Sequence, residues 1–294
     1  MNVYADQNFL ITCRDSAAVT EKVIAAQKSG RATLVLSPIH FYETGTGREE
    51  HFDRTLGLVE RIGPAWCLSR VDMQLREFRR EWNRFWREPE IAFEPIGDLA
   101  HVLSAIHRKP RLAFEGVTLR QAMDPFRAQS TNEMFDPVYE MNRHANVANR
   151  DRFRNGQLTP IVWKNIERSS VAVQLATEHQ REPIIDRTIR RMEQILEDPV
   201  SFARISIFIE NGGTKRLRAQ TVELLMTQDR LVHGGDLGEN TQVDRDHAVV
   251  ALACCDLFVT DDRKLRHLCN RIKEKSPIEL ARVCNGEEFV AEVG

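Results

Sequence analysis

No stretch of this 294-residue chain is apolar for long enough to span a bilayer. Its first residues, MNVYADQNFLI, lack the basic start and small-residue cleavage site of a secretory leader. A cytoplasmic protein with no membrane partner is therefore expected. Cysteine is sparse and unpatterned: Cys13, Cys67, Cys254, Cys255, Cys269 and Cys284 form no CxxC pair and no repeated spacing. That argues against a zinc ribbon or a disulfide framework, and the adjacent Cys254 and Cys255 read as small apolar residues on a buried helix. An excess of either charge is also missing. With a net charge of −2 the chain exerts no global pull on nucleic acid, so a polyanion would have to be held by a local basic patch or through metal ions. No GxGxxG follows the first strand, and neither GxxxxGK[ST] nor GxSxG occurs. Dinucleotide, P-loop and serine-hydrolase sites are excluded on those grounds.

What remains is an ordinary globular composition, 42% apolar and 29% charged, without repeats or low-complexity tracts. It is long enough for one large domain or two modest ones. Residues 2–5 and 8–11 flank Asp6 with strand-like composition. Residues 16–29 carry a helical apolar face that stops at Gly30, and ATLVLS (32–37) is the continuous apolar run of a strand buried on both faces. IHFYETG then reads as a short helical turn bearing Glu43. A helix near Glu49–Ile62 ends at Gly63–Pro64, and a third strand is expected near Trp66–Leu68. This rhythm predicts a parallel sheet with right-handed crossovers.

From Val71 to Arg87 the apolar residues Val71, Leu75, Phe78, Trp82 and Phe85 keep helical spacing, with Trp86 alongside. The aromatic stripe reads as core before it reads as a stacking platform for unpaired bases. Helical character continues over roughly 98–232, with breaks at Pro110, Pro125, Pro137, Pro160, Pro183 and Pro199. Between Met141 and Met192 ten Arg/Lys face five Asp/Glu, a local basic excess that fits an RNA-facing surface or a plain solvated one. Asp229–Gln242 reads as a glycine-punctuated loop. After it come a helix Asp246–Cys255, a strand Leu257–Thr260, a helix Arg263–Lys273, a strand near Ala281–Cys284 and a terminal helix. The organisation expected is an α/β core made of residues 1–88 and 233–294, split by a helical insertion over 89–232.

The chemistry-bearing residues are acids at the ends of these elements. Asp6 follows the first strand, Glu43 the second, Asp246 opens a small-residue helix, and Asp262 lies just past the FVT strand. Carboxylates at the carboxyl ends of strands in an open α/β sheet are what a divalent-metal site requires. Without a cation they would repel one another, and Mg²⁺ or Mn²⁺ reverses that penalty. Taken singly, each acid is as well explained as a turn or helix cap, Asp246 in particular. Arg263, Lys264 and Arg266 follow the acidic pair and could touch a phosphate backbone, or simply form a solvated helix start. His40, one turn before Glu43, is expected to make a structural hydrogen bond.

Together these residues resemble the PIN-domain family of metal-dependent single-strand nucleases. The resemblance lies in Asp6 within VYADQNFLI, Glu43 within SPIHFYETG, and Asp246 through Thr260, Asp261 and Asp262. It covers about the first 70 and the last 55 residues. It implies a three-layer α/β/α core with a mostly parallel sheet, and Asp6, Glu43, Asp246 and Asp262 as ligands of Mg²⁺ or Mn²⁺. Asn8 and Thr260 would be supports, with Asp244 and Asp261 as rivals for two of the ligand positions. The activity implied is hydrolysis of single-stranded RNA. An inhibitory partner protein and a homo-oligomer are compatible with it. The alternatives from other classes are a non-enzymatic PIN-like module that binds RNA or protein, and a hydrolase of another phosphate ester. The large insertion departs from the family pattern.

Overall fold

The computed structural model describes residues 1–45, 49–89, 92–127, 207–208, 210–233 and 239–294, with positions 155 and 204. The expected basic excess between Met141 and Met192, and Pro137, Pro160, Pro183 and Pro199, lie outside these residues except for position 155.

The strands are β1 (Asn2–Ala5), β2 (Thr33–Leu36), β3 (Ala65–Cys67), β4 (Ile96–Gly97), β5 (Leu257–Val259) and β6 (Arg282–Cys284). They form one sheet in the order β4-β3-β2-β1-β5-β6. Every pairing is parallel except β3 with β4, which is antiparallel at the edge. The chain is thus α/β with a mostly parallel sheet, as its sequence predicts. β4 was not anticipated, and it draws residues 96–97 from the expected insertion into the sheet.

Alternation along the strands explains why both faces are apolar. Val3, Ala5, Leu34, Leu36, Trp66, Leu257 and Val259 belong to one buried cluster, while Tyr4, Val35, Cys67 and Phe258 belong to another. Successive side chains of a strand point to opposite faces, so the two clusters lie on opposite sides of the sheet. The first is covered by α1 (Gln7–Asp15), α2 (Ala17–Lys28), α4 (Glu49–Ile62), α6 (Leu99–His107), α7 (Leu119–Arg127) and α11 (Gly286–Val293). The second is covered by α5 (Arg70–Trp86), α8 (Arg218–His233), α9 (Glu239–Cys254) and α10 (Arg263–Lys275). Burying each large side chain of β5 stabilises the fold by about 1.5–3 kcal/mol, and Phe258 is fully buried.

The helices predicted over 16–29, at 39–45 and at 49–62 form as α2, α3 (Ile39–Gly45) and α4. The aromatic stripe of α5 is core: Phe78 and Trp82 are buried, and Phe78, Trp82 and Phe85 pack against Phe208. Four expectations are corrected. Residues 8–11 are helical, because the Asp6 carboxylate accepts the Phe9 N–H at 2.8 Å and starts α1 there. Pro125 does not break the chain; it sits within α7, which runs on to Arg127. Asp246 does not open its helix. α9 begins at Glu239, and α8 extends to His233, so much of the expected loop over 229–242 is helical.

Candidate functional site

β1 lies at the centre of the sheet with β2 on one side and β5 on the other, so the strand order reverses between β1 and β5. The carboxyl edge at such a switch point is where open α/β sheets form ligand sites. Asp6 and Thr260 stand there, each one residue past its strand, and they are bonded across the crevice: the Thr260 hydroxyl donates to Asp6 Oδ2 at 2.5 Å. The other Asp6 oxygen holds the Phe9 N–H, so the carboxylate is fixed at both ends while only 2% exposed. Burial pushes the Asp6 carboxyl up to about 6, against the opposing pull of its Thr260 and Phe9 bonds.

Glu43 reaches the same edge from α3, which follows β2. Its Oε2 is 2.7 Å from His247 Nε2, on α9. His247 Nδ1 is 2.8 Å from the Tyr4 hydroxyl, and that hydroxyl is 2.6 Å from Ser37 Oγ. Burial drives His247 down to about 4 and Glu43 up to about 7. With the imidazole neutral and Glu43 ionised, one assignment satisfies every group. Ser37 donates to Tyr4, Tyr4 donates to Nδ1, and Nε2–H donates to Glu43. His40 lies beside this chain, its ring centroid 4.7 Å from that of His247. It accepts the Ser37 N–H on Nδ1 at 3.0 Å and donates from Nε2 to the Ala5 carbonyl at 2.8 Å, the structural role its position suggests. Burial holds it, too, down to about 4.

The remaining predicted residues are placed differently. Asp246 adjoins His247 in α9, but Arg70 Nε donates to its Oδ1 at 2.7 Å. Arg70 also donates to Glu223 at 2.7 Å, and Arg245 pairs with the other Glu223 oxygen. Although burial raises it, the charges of Arg245 and Arg70 bring the Glu223 carboxyl down to about 2. Asp262 is the N-cap of α10, accepting the N–H groups of Lys264 at 2.7 Å and Leu265 at 2.9 Å on Oδ1. Its own N–H donates to Thr260 Oγ1 at 3.1 Å, which puts its backbone one hydroxyl away from Asp6.

Asp261 turns elsewhere: it accepts the Gly286 N–H at 2.8 Å and the Thr12 hydroxyl at 2.7 Å, tying α11 to α1. Gly286 is required for that junction, since a Cβ there would meet the Phe9 ring at 2.7 Å. Asp244 is half-buried in α9, and Asn8 lies exposed on α1. Arg263 and Lys264 are exposed at the start of α10, and Arg266 donates to the Thr260 carbonyl at 3.2 Å.

Thus Asp6, Glu43, Thr260 and Asp262 share one strand edge, and Asp246 stands beside them in an ion pair. Among the described residues, no group of three or more His, Cys, Asp or Glu is arranged to hold a metal ion. The residues that complete the site and were not predicted are His247, Tyr4, Ser37, Arg70 and Glu223. Tyr4, a lone hydroxyl in a buried strand, and His247, adjoining Asp246, gave the only local signals. No protein-family model, curated protein or solved structure matches this chain.

Proposed function

We propose that this chain is a PIN-like, Mg²⁺- or Mn²⁺-dependent ribonuclease acting on single-stranded RNA, with its sheet as the middle of a three-layer α/β/α core. One observation carries the reading. A buried carboxylate, Asp6, at the end of β1 and a half-buried one, Glu43, reaching the same edge from the helix after the adjacent parallel strand stand beside the switch point, and burial raises both. A site that holds acids against their own desolvation is characteristic of function.

The donor chemistry fits a hard divalent ion, because the groups at this edge are carboxylate and hydroxyl oxygens without thiolates. Asp6 and Glu43 would hold it, joined by Asp246 and Asp262. The ion would supply an activated water and offset charge on the phosphodiester. The chain's own residues do the positioning. Phe9 N–H and Thr260 fix the Asp6 carboxylate, and the Ser37–Tyr4–His247 chain fixes that of Glu43. Asp262 binds its cap through Oδ1 alone, which leaves Oδ2 to accept elsewhere. Arg263 and Lys264, exposed beside it, would contact backbone phosphates, which orients a strand without reading its sequence.

The second reading is a non-enzymatic module of the same fold that binds RNA or a protein partner. It is favoured by a specific feature: Arg70 already neutralises Asp246 at 2.7 Å. The deciding experiment is cleavage of labelled single-stranded RNA and DNA with Mn²⁺, with EDTA, and by an Asp6→Asn/Asp262→Asn double variant. Cutting that needs the metal and disappears in the variant is the expected outcome. Binding without cutting, equal in variant and parent, would replace the nuclease with the recognition module.

A further inference from the structure

Three thiols meet where the end of β3 approaches the end of α9. Cys67 is the last residue of β3, Cys254 the last residue of α9, and Cys255 follows directly. The sulfurs of Cys67 and Cys254 are 3.1 Å apart although 187 residues separate them. We propose that Cys67 and Cys254 form a redox-reactive pair, a site at which a peroxide converts two thiols of the folded chain into a reversible disulfide.

Geometry supports this first. A disulfide bond is about 2.05 Å long, so roughly 1 Å of approach separates the two sulfurs from bonding distance. The fold has already brought the two sulfurs together. Access then sets the order of events: Cys254 is half-buried, whereas Cys67 and Cys255 are buried. Chemistry agrees with access. Hydrogen bonds from Cys255 and Cys67 pull the Cys254 thiol down, against burial and a bond from its own S–H to the Val250 carbonyl at 2.9 Å, while burial pushes Cys67 well above the usual thiol range. The less buried thiol, once it gives up its proton, is the nucleophile, and the buried thiol beside it resolves the product. The other three cysteines serve as internal contrast. Each is buried, and desolvation pushes Cys13 up to about 12, Cys284 up to about 11, and Cys269 upward as well.

The steps balance. The Cys254 thiolate attacks one peroxide oxygen, the O–O bond breaks, and hydroxide leaves, giving a sulfenic acid. The Cys67 sulfur, losing its proton, then attacks the Cys254 sulfur; the S–O bond breaks and the oxygen departs as water. The two sulfurs give up two electrons in total, and the peroxide is reduced to two waters. A dithiol reductant returns both thiols by exchange. The new bond would link the end of β3, three residues before Arg70, to the helix that carries Asp246 and His247. It would thereby fasten the same two segments that the Arg70–Asp246 ion pair joins. This inference does not depend on the nuclease reading.

The test is oxidation of the folded full-length chain with hydrogen peroxide, alkylation after denaturation, and peptide mapping without reductant. Two of the six cysteines should escape alkylation, in a single cross-linked peptide pair containing Cys67 and Cys254 that dithiothreitol separates. Cys254→Ser should lose the cross-link. Cys67→Ser should leave a sulfenic acid at Cys254 that dimedone traps, and Cys269→Ser should keep the link. Alkylation of all six after oxidation would overturn the proposal. So would a map showing only a Cys254–Cys255 link or a link between chains. The map of the unaltered chain decides the matter even if a variant fails to fold.

Discussion

Replacing Asp6 by Asn should make the metal-free protein more stable at pH 8, and the gain should vanish in acid. The Asp6 carboxyl is raised from 3.8 to about 6 by burial. The folded chain therefore keeps a proton that the unfolded chain releases, and stability falls as pH rises. Its contribution is fully present below pH 3.8 and lost by the time pH has passed through 6. About two powers of ten in proton affinity correspond to about 3 kcal/mol. Asn retains an oxygen for the Phe9 N–H and carries no charge to desolvate. The difference in unfolding free energy, variant minus parent, should thus rise by about 2.4 kcal/mol between pH 4 and pH 8. Urea titrations with EDTA at five pH values measure it. Comparing variant with parent cancels the other titrating groups except those coupled to Asp6, of which Glu43 is one. A difference flat across that range would refute the claim that an uncompensated buried carboxylate stands at this edge. Repeating the series with Mn²⁺ should stabilise the parent at pH 8 and leave the variant unmoved.

Two further outcomes are expected. Arg70→Met should destabilise the fold by about 3–5 kcal/mol in thermal or urea unfolding, because Glu223 and Asp246 lose a shared partner that lies largely out of water. Thr260→Val should cost about 1–3 kcal/mol at pH 8 and less at pH 4, since the hydroxyl it removes is bonded to the ionised Asp6.

The positions of Asp6, Glu43 and Asp262 were legible because each depends on a local pattern, an apolar run ending in an acid. The boundaries of α3 and α4 were legible for the same reason: turn residues and glycines mark them. NFLI at 8–11 misled because four residues fit either period, and the Asp6 cap decides in favour of helix. β4 has two residues, too few to show any period, and exists only because β3 offers an edge. Asp246 reads as a helix start because acids favour that place. Its actual partner, Arg70, lies 176 residues away on an arginine-rich helix where nothing local distinguishes it. The His247–Glu43 bond spans 204 residues and the Tyr4–His247 bond 243, so the polar chain behind the site is a product of tertiary structure.

The pairing of β1 with β5 bears on how the chain is made. Residue 5 leaves the ribosome about 250 residues before residue 259, an interval of roughly 10–50 s at ordinary synthesis rates. β2 can cover one edge of β1 early, but the other edge of the strand destined for the middle of the sheet has no native neighbour until residues 257–259 have been made. An apolar strand with an open edge is prone to pair with the wrong chain. Pairings this distant in sequence also slow folding. Yield in a cell should therefore respond to chaperone supply and to the pace of elongation more than to any single side chain at the carboxylate edge.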